Sequence, residues 1–199
     1  MFDIGFSRRT LLGTGALGIL SSLALRRSQA QQPVLPATPQ CADEDDPTPS
    51  QTEGPYFSPN SPERANLVED GMTGDHISLA GFVLDRHCQP VPGALLDLWH
   101  ADADGRYDNQ GYRLRGHQFS DPQGRFVFET IVPGLYPGRT RHFHIKVQAP
   151  GRNVLTTQLY FPDEPANQRD RIFDARLLLG MTQQQGVAIG RRDFILDIT

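Results

Sequence analysis

The stretch Pro133-Gly-Leu-Tyr-Pro-Gly-Arg-Thr-Arg-His-Phe-His-Ile-Lys-Val147 gathers a phenol (Tyr136), a guanidinium (Arg139) and two imidazoles (His142 and His144). Over 141–147, Phe143, Ile145 and Val147 alternate with His142, His144 and Lys146, which predicts a β-strand. Side chains at i and i+2 leave the same face of a strand, about 7 Å apart along it. His142 and His144 therefore point the same way and can share one metal ion. Tyr136 precedes them on a turn made by Pro133, Gly134, Pro137 and Gly138, which can fold its phenol back over the same spot. By spacing alone the histidines read either as ligands or as two polar residues on a solvated strand face. Tyr136, and Tyr107 in its Asp-rich loop, read either as ligands or as packing residues. Asp102, Asp104, Gly105 and Asp108 carry part of a calcium-loop pattern without its closing glutamate, so they are expected as solvated loop charges.

The elements that must place these groups are short. Strands are predicted at 76–85, 94–100, 125–131, 141–147, 154–161 and 193–198, separated by turns rich in Gly and Pro. In the first of them Ile77, Leu79, Gly81 and Val83 are expected to share one face. Only 165–180 has helical spacing, from Ile172, Phe173 and Leu177. Many short strands with one short C-terminal helix define an all-β fold, an antiparallel β-sandwich.

The 199 residues are most simply one folded domain, expected at 51–199. Two segments precede it. Residues 1–30 have the form of a twin-arginine signal peptide: Ser7-Arg8-Arg9-Thr10-Leu11-Leu12, an apolar run from Leu11 to Leu25, and Ser28-Gln29-Ala30 as a cleavage site. An uncut membrane anchor is the competing reading, although the apolar run is short for a span of about 20 residues. Export would place the protein in the periplasm or outside the cell, with only a transient membrane encounter. Residues 31–50 form a proline- and acid-rich linker arm.

Loss of 1–30 would remove four arginines and one aspartate, taking 19 basic and 23 acidic residues to 15 and 22, and the net charge from −4 to −7. Such an acidic chain, with Lys146 as its single lysine, has no electrostatic footprint for nucleic acid. In an exported protein Cys41 and Cys88 are expected to form one disulfide, stabilising by about 2–4 kcal/mol. Ligation of a metal by the two thiols is the lesser reading, since no second pair completes a thiolate site.

Several motifs follow one another: Thr52-Glu-Gly-Pro-Tyr-Phe57, Pro90-Val-Pro-Gly-Ala-Leu-Leu-Asp-Leu-Trp-His100, Gly105-Arg-Tyr-Asp108, 121–137, Arg139-Thr-Arg-His-Phe-His144 and Thr156-Thr-Gln-Leu-Tyr-Phe161. In this order they resemble the intradiol ring-cleavage dioxygenases, the family of protocatechuate 3,4-dioxygenase and catechol 1,2-dioxygenase, in its small, secreted, single-chain form. The resemblance covers 51–161. It implies a non-haem Fe(III) held by Tyr107, Tyr136, His142 and His144, with Arg139 as a catalytic cation and Gln158 as its partner. It also implies a catechol-type substrate and O₂, with Tyr136 yielding its place to the catechol. Cleavage between the two hydroxyls would then give a cis,cis-muconate. Glu53, Pro55 and Tyr56 fall at substrate-binding positions by this resemblance; a packed turn is the alternative. Thr140-Arg141 stands where the family commonly has Pro-Ala, and the interval from Tyr136 to His142 is shorter than in the large members.

The chemistry agrees with this donor set. Ferric iron is a hard cation, suited to oxygen and nitrogen donors. A bound cation favours the anionic form of a phenol that otherwise titrates near 10. Two competing functions remain open at the sequence level: a non-catalytic β-sandwich module binding aromatics or carbohydrate with a vestigial site, and a centre holding Cu(II) or Zn(II). The residues leave open which catechol is cleaved and whether the chain forms a homo-oligomer.

Overall fold

A computed structural model describes residues 46–199. Residues 1–30, expected to be a signal peptide, most of the segment 31–50 expected to be a linker arm, and Cys41 lie outside the described residues. Cys88 is disulfide-bonded.

Among the described residues nine strands form two sheets. The first contains β1 (His76–Leu84), β4 (Arg125–Ile131), β7 (Gly180–Gln184) and β8 (Val187–Arg191), in the order β4-β1-β8-β7, with β9 (Phe194–Ile195) against the end of β1. The second has the order β3-β2-β5-β6, built from β2 (Leu95–Trp99), β3 (Arg115–Phe119), β5 (His142–Gln148) and β6 (Leu155–Tyr160). Pairing in the second sheet is antiparallel throughout. In the first, β1 pairs antiparallel with β4 but parallel with β8 and β9, so that sheet is mixed.

The sandwich core is the apolar parity of each strand. Phe143, Ile145 and Val147 of β5, Leu96 and Leu98 of β2 and Leu159 of β6 face Ile77 and Leu79 of β1 and Phe126 and Phe128 of β4. At about 25 cal/mol per Å² of apolar surface removed from water, this cluster is the main favourable term holding the two sheets face to face. The other parity of β5, which carries His142 and His144, points away from that core.

As expected, Ile77, Leu79 and Val83 of β1 share the core face; the opposite face is buried too, where Phe82 and Leu84 join Cys88 in a second apolar cluster. Two expectations differ from the structure. The segment 165–180 is not one helix. It holds two short 3-10 turns, Pro165–Arg169 and Ala175–Leu177, before entering β7. Pro165 opens the first turn, and both Asp170 and Leu178 resume extended backbone, so no i to i+4 ladder spans the segment. The final strand, expected over 193–198, reduces to the two-residue β9.

Candidate active site

Directly opposed residues of antiparallel strands present their side chains on the same face. On the outer face of the second sheet this lays out rows. His142 stands opposite Tyr160; Arg115, Trp99, His144 and Gln158 form the next row; His117, Asp97, Lys146 and Thr156 form the one after. The strand-face reading of His142 and His144 as solvated residues fails. They are only 4% and 3% exposed, because residues 51–57 cross the face above them.

The two imidazoles are held differently. His142 Nδ1 lies 2.6 Å from the Thr140 carbonyl oxygen. A carbonyl only accepts, so the proton sits on Nδ1 and Nε2 presents a lone pair. His144 Nδ1 has no hydrogen-bond partner among the described residues. Its ring is fixed by packing, stacked on Trp99 at 5.0 Å and 8°. On the other side a Cβ at Gly54 would stand 3.3 Å from His144 Cε1. Burial pushes the His142 pKa down to about 4, with the Arg139 charge adding to the shift, and burial holds His144 well below the ordinary range. Both rings are therefore neutral near pH 7, the form that ligates metals.

The tyrosines arrive on loops. Gly134 N–H donates to Asp102 O at 2.7 Å, and the two loops touch backbone to backbone at two glycines. A Cβ on Gly134 would lie 2.3 Å from Ala103 O, and one on Gly105, whose φ is +81°, would lie 2.2 Å from Leu135 O. This contact brings the Tyr107 and Tyr136 rings to 5.9 Å between centroids. The Tyr107 loop is further shaped by carboxylates acting as caps. Asp102 accepts from the N–H groups of Asp104 and Arg106, and Asp108 from those of Gln110, Gly111 and Arg113. The aspartates thus serve the loop's own backbone. Buried Arg115 donates twice to Asp108 O and once to Tyr56 O.

The donors converge. His142 Nε2 is 3.1 Å from His144 Nε2 and 3.2 Å from the Tyr107 hydroxyl. Tyr136 approaches from the turn, its hydroxyl 2.7 Å from that of Tyr56, and Tyr56 stacks on Tyr107 at 4.5 Å. Burial drives the Tyr107 pKa far up, so an anionic Tyr107 requires a cation beside it. Among the described residues no group of three or more His, Cys, Asp or Glu is placed to hold a metal. A metal at the two histidines would complete its shell with phenols. Two neutral imidazoles and two phenols fit a hard trivalent cation such as Fe(III) better than a soft one.

Arg139 Nε donates to Asp170 Oδ2 at 2.8 Å and its NH2 group to Gln158 Oε1 at 2.6 Å. Gln158, fully buried, donates in turn to Thr52 O. Tyr160 donates to Gln51 Oε1 at 2.6 Å, with Gln158 Oε1 3.2 Å from the same hydroxyl, and burial pushes its phenol up to about 12. Thr140 and Arg141, where the sequence departs from the family's usual residues, have contacts of their own. The Thr140 hydroxyl donates to Asn167 Oδ1 at 2.6 Å. Arg141 bonds the Pro133 carbonyl and pairs with Glu164 at 2.8 Å, clamping segment 164–170 against the tyrosine turn.

Of the residues assigned to substrate binding, Tyr56 and Arg139 stand at the convergent groups. Pro55 is exposed, and Glu53 is drawn away into an ion pair with Lys146, which also lies 4.0 Å over the Phe57 ring. The sequence reading missed Trp99, Thr140 and Asp170. Trp99 could have been found as the residue paired with the histidine strand; Asp170 was hidden inside the segment read as helical.

The class these features define, a β-sandwich with two histidines and two tyrosines gathered on one sheet face, agrees with the relatives of the chain. A family model described as Dioxygenase matches residues 52–195, and the chain belongs to the intradiol ring-cleavage dioxygenases. Hydroxyquinol 1,2-dioxygenase of Nocardioides simplex is 31% identical over 147 residues, which is 62% of this chain and 50% of that protein. The dioxygenase domain of a dioxygenase carbohydrate-binding protein fusion from Streptomyces sp. SirexAA-E is 53% identical, with a TM-score of 0.75, over 77% of this chain and 100% of that one. 3-Chlorocatechol 1,2-dioxygenase from Rhodococcus opacus 1CP is 29% identical, with a TM-score of 0.71, over 79% and 76% of the two chains. The chain spans about half the length of the curated relatives it matches.

Proposed function

We propose that the protein is an Fe(III)-dependent intradiol dioxygenase that opens a catechol-type ring between its two hydroxyls to a cis,cis-muconate. The observation that carries this reading is that His144 Nε2 and the Tyr107 hydroxyl both lie within 3.2 Å of His142 Nε2, with Tyr136 beside them. Tyr107, Tyr136, His142 and His144 would hold the iron. Bound there, ferric iron supplies a Lewis acid for the catechol oxygens and a one-electron acceptor for the ring.

The chain supplies the rest. Tyr136 is the phenol with a second hydroxyl for company, so Tyr56 can hold it while it carries a proton taken from the substrate. Arg139, fixed at two of its nitrogens by Asp170 and Gln158, offers its remaining N–H groups to negative charge developing on the substrate oxygens. Residues 51–57 roof the face, with Phe57 edge-on to Trp99 at 4.9 Å, and keep bulk water from the buried imidazoles. Relatives named for hydroxyquinol, catechol and chlorocatechol support a small aromatic with two adjacent hydroxyls as substrate. We also assign residues 1–30 to export by the twin-arginine route.

The test is a visible absorption spectrum of the purified protein with iron quantified, before and after catechol is added without oxygen. Tyrosinate-to-iron charge transfer should colour the protein red and catechol should move the band to longer wavelength. Admitting O₂ should then yield the muconate. A protein that stays colourless after ferric reconstitution, or a Tyr107→Phe variant with full iron content and full rate, would defeat the assignment.

A further inference from the structure

Asp170 lies in the segment expected to be helical, outside every motif that carries the resemblance. Its side chain is 1% exposed, and it accepts three hydrogen bonds. Oδ2 takes Arg139 Nε at 2.8 Å and the Thr140 N–H at 2.9 Å; Oδ1 takes the Ile172 N–H at 3.1 Å. The first two partners lead to the two halves of the site. Arg139 is the cation beside the reacting groups. Thr140, wholly buried, uses its carbonyl to hold His142 Nδ1 at 2.6 Å. One carboxylate oxygen therefore fixes the guanidinium and, through a single intervening residue, the tautomer and direction of a metal-facing imidazole.

Charge points the same way. A trivalent cation beside His142 would sit close to the positive Arg139, and such a like-charge contact is costly in a buried site. The carboxylate of Asp170, paired with that guanidinium, offsets the repulsion. Gln158 holds the other side of Arg139, but as a neutral amide it cannot do this. Partners behind the ligands commonly set metal retention and rate in this manner.

We propose that Asp170 is a positioning residue for the centre, holding Arg139 and, by way of Thr140, His142 in a fixed relation. The metal half of this proposal rests on the ferric reading above. The test compares wild type, Asp170→Asn and Asn167→Ala. Asp170→Asn keeps size and removes the charge. Asn167→Ala loosens the same segment by removing the partner of the Thr140 hydroxyl, and leaves the carboxylate intact.

In metal-free protein, ¹⁵N NMR follows the Thr140 amide and the His142 Nδ1 proton. Both should exchange with solvent at least about ten-fold faster in Asp170→Asn and stay near wild type in Asn167→Ala. In ferric protein, release of iron to a competing chelator should quicken by about 10–100-fold in Asp170→Asn, and kcat should fall by a similar factor while KM changes little. Wild-type exchange, iron release and kcat in Asp170→Asn would overturn the proposal. So would Asn167→Ala reproducing every effect, since any loosening of the segment would then suffice. A wild-type protein that takes up no iron would overturn the ferric reading instead, and the exchange measurement would still decide whether Asp170 holds Thr140 and His142.

Discussion

The histidines and the tyrosines reach the same point by opposite means. His142 and His144 stand on a central strand of the second sheet, flanked by β2 and β6, and their separation is set by the pleat. Tyr107 and Tyr136 stand on two loops with no ladder between them, and their separation is set by a backbone contact that only glycine permits at 105 and 134. The strand half is rigid because the sandwich core lies directly beneath it. The loop half is rigid only while two peptide groups can touch. Damage to the loops should therefore abolish the centre and spare the fold, whereas damage around the histidines should also draw on stability.

The largest effect is expected from Gly134→Ala. Its Cβ would press on Ala103 O and Gly105 N, so the loops must part. A displacement of about 1 Å can cost about 100-fold in rate. Activity and charge-transfer colour should fall by at least that factor, while circular dichroism keeps the wild-type β-sheet spectrum. A Gly134→Ala protein with wild-type colour would remove the contrast.

Trp99→Ala addresses the strand half. It deletes a fully buried side chain that stacks on His144 and should destabilise by about 3–5 kcal/mol, read as a lower urea midpoint. Weaker iron retention should accompany the loss of stability, unlike the Gly134 case.

A third expectation concerns acid. His100 is buried between Ala101 O and Thr130 Oγ1, and burial pushes its pKa down to about 4. Its unfolded value is about 6.5. A depressed folded value gives stability that is complete above pH 6.5 and is lost as pH falls toward 4. Replacing His100 with Gln should abolish its share of the decline between pH 7 and 5, on the order of 2 kcal/mol, measured by denaturant titration of metal-free protein at both pH values.

The smallest effect is expected from Glu53→Gln. The partner carboxylate of Lys146 is 43% exposed, and such pairs contribute about 0.2–1 kcal/mol. Stability should change within that range and kcat by less than about two-fold.

Which parts were legible follows from the same division. The strand at 125–131 has the bounds the sequence indicates, and β5 starts one residue later than expected, because alternation and flanking turns are local signals. The histidine pair could be read for the same reason. The Tyr136 turn was legible from its Pro and Gly residues, but Tyr107 could be placed beside it only by resemblance, since the glycine contact that joins the two loops spans residues far apart in the chain. Strand β3, with Gly116 pressed against Leu67 and Arg64, shows little alternation. Strand β7 is largely exposed and β8 mostly half-buried, and neither shows a clear apolar alternation to betray it. The mixed pairing of β1 with β8 and β9 depends on the route of the C-terminal chain. At 165–180 the apolar spacing mimicked a helix, while the Asp170 contacts and Pro165 held the chain in two short turns.

The roof over the imidazoles has a consequence for how the protein would die on heating. Residues 51–57 belong to neither sheet and are fastened by separate bonds: Gln51 to Thr156 and Ile172, Thr52 to Gln158, Glu53 to Lys146, and Tyr56 to Tyr136 and Arg115. Segments of this kind open with far lower free energy than the sheets beneath them. Warming should thus peel the roof from an intact sandwich and drown the proposed iron site, so that catalytic death comes at a lower temperature than melting and is reversed by cooling in the presence of ferric iron.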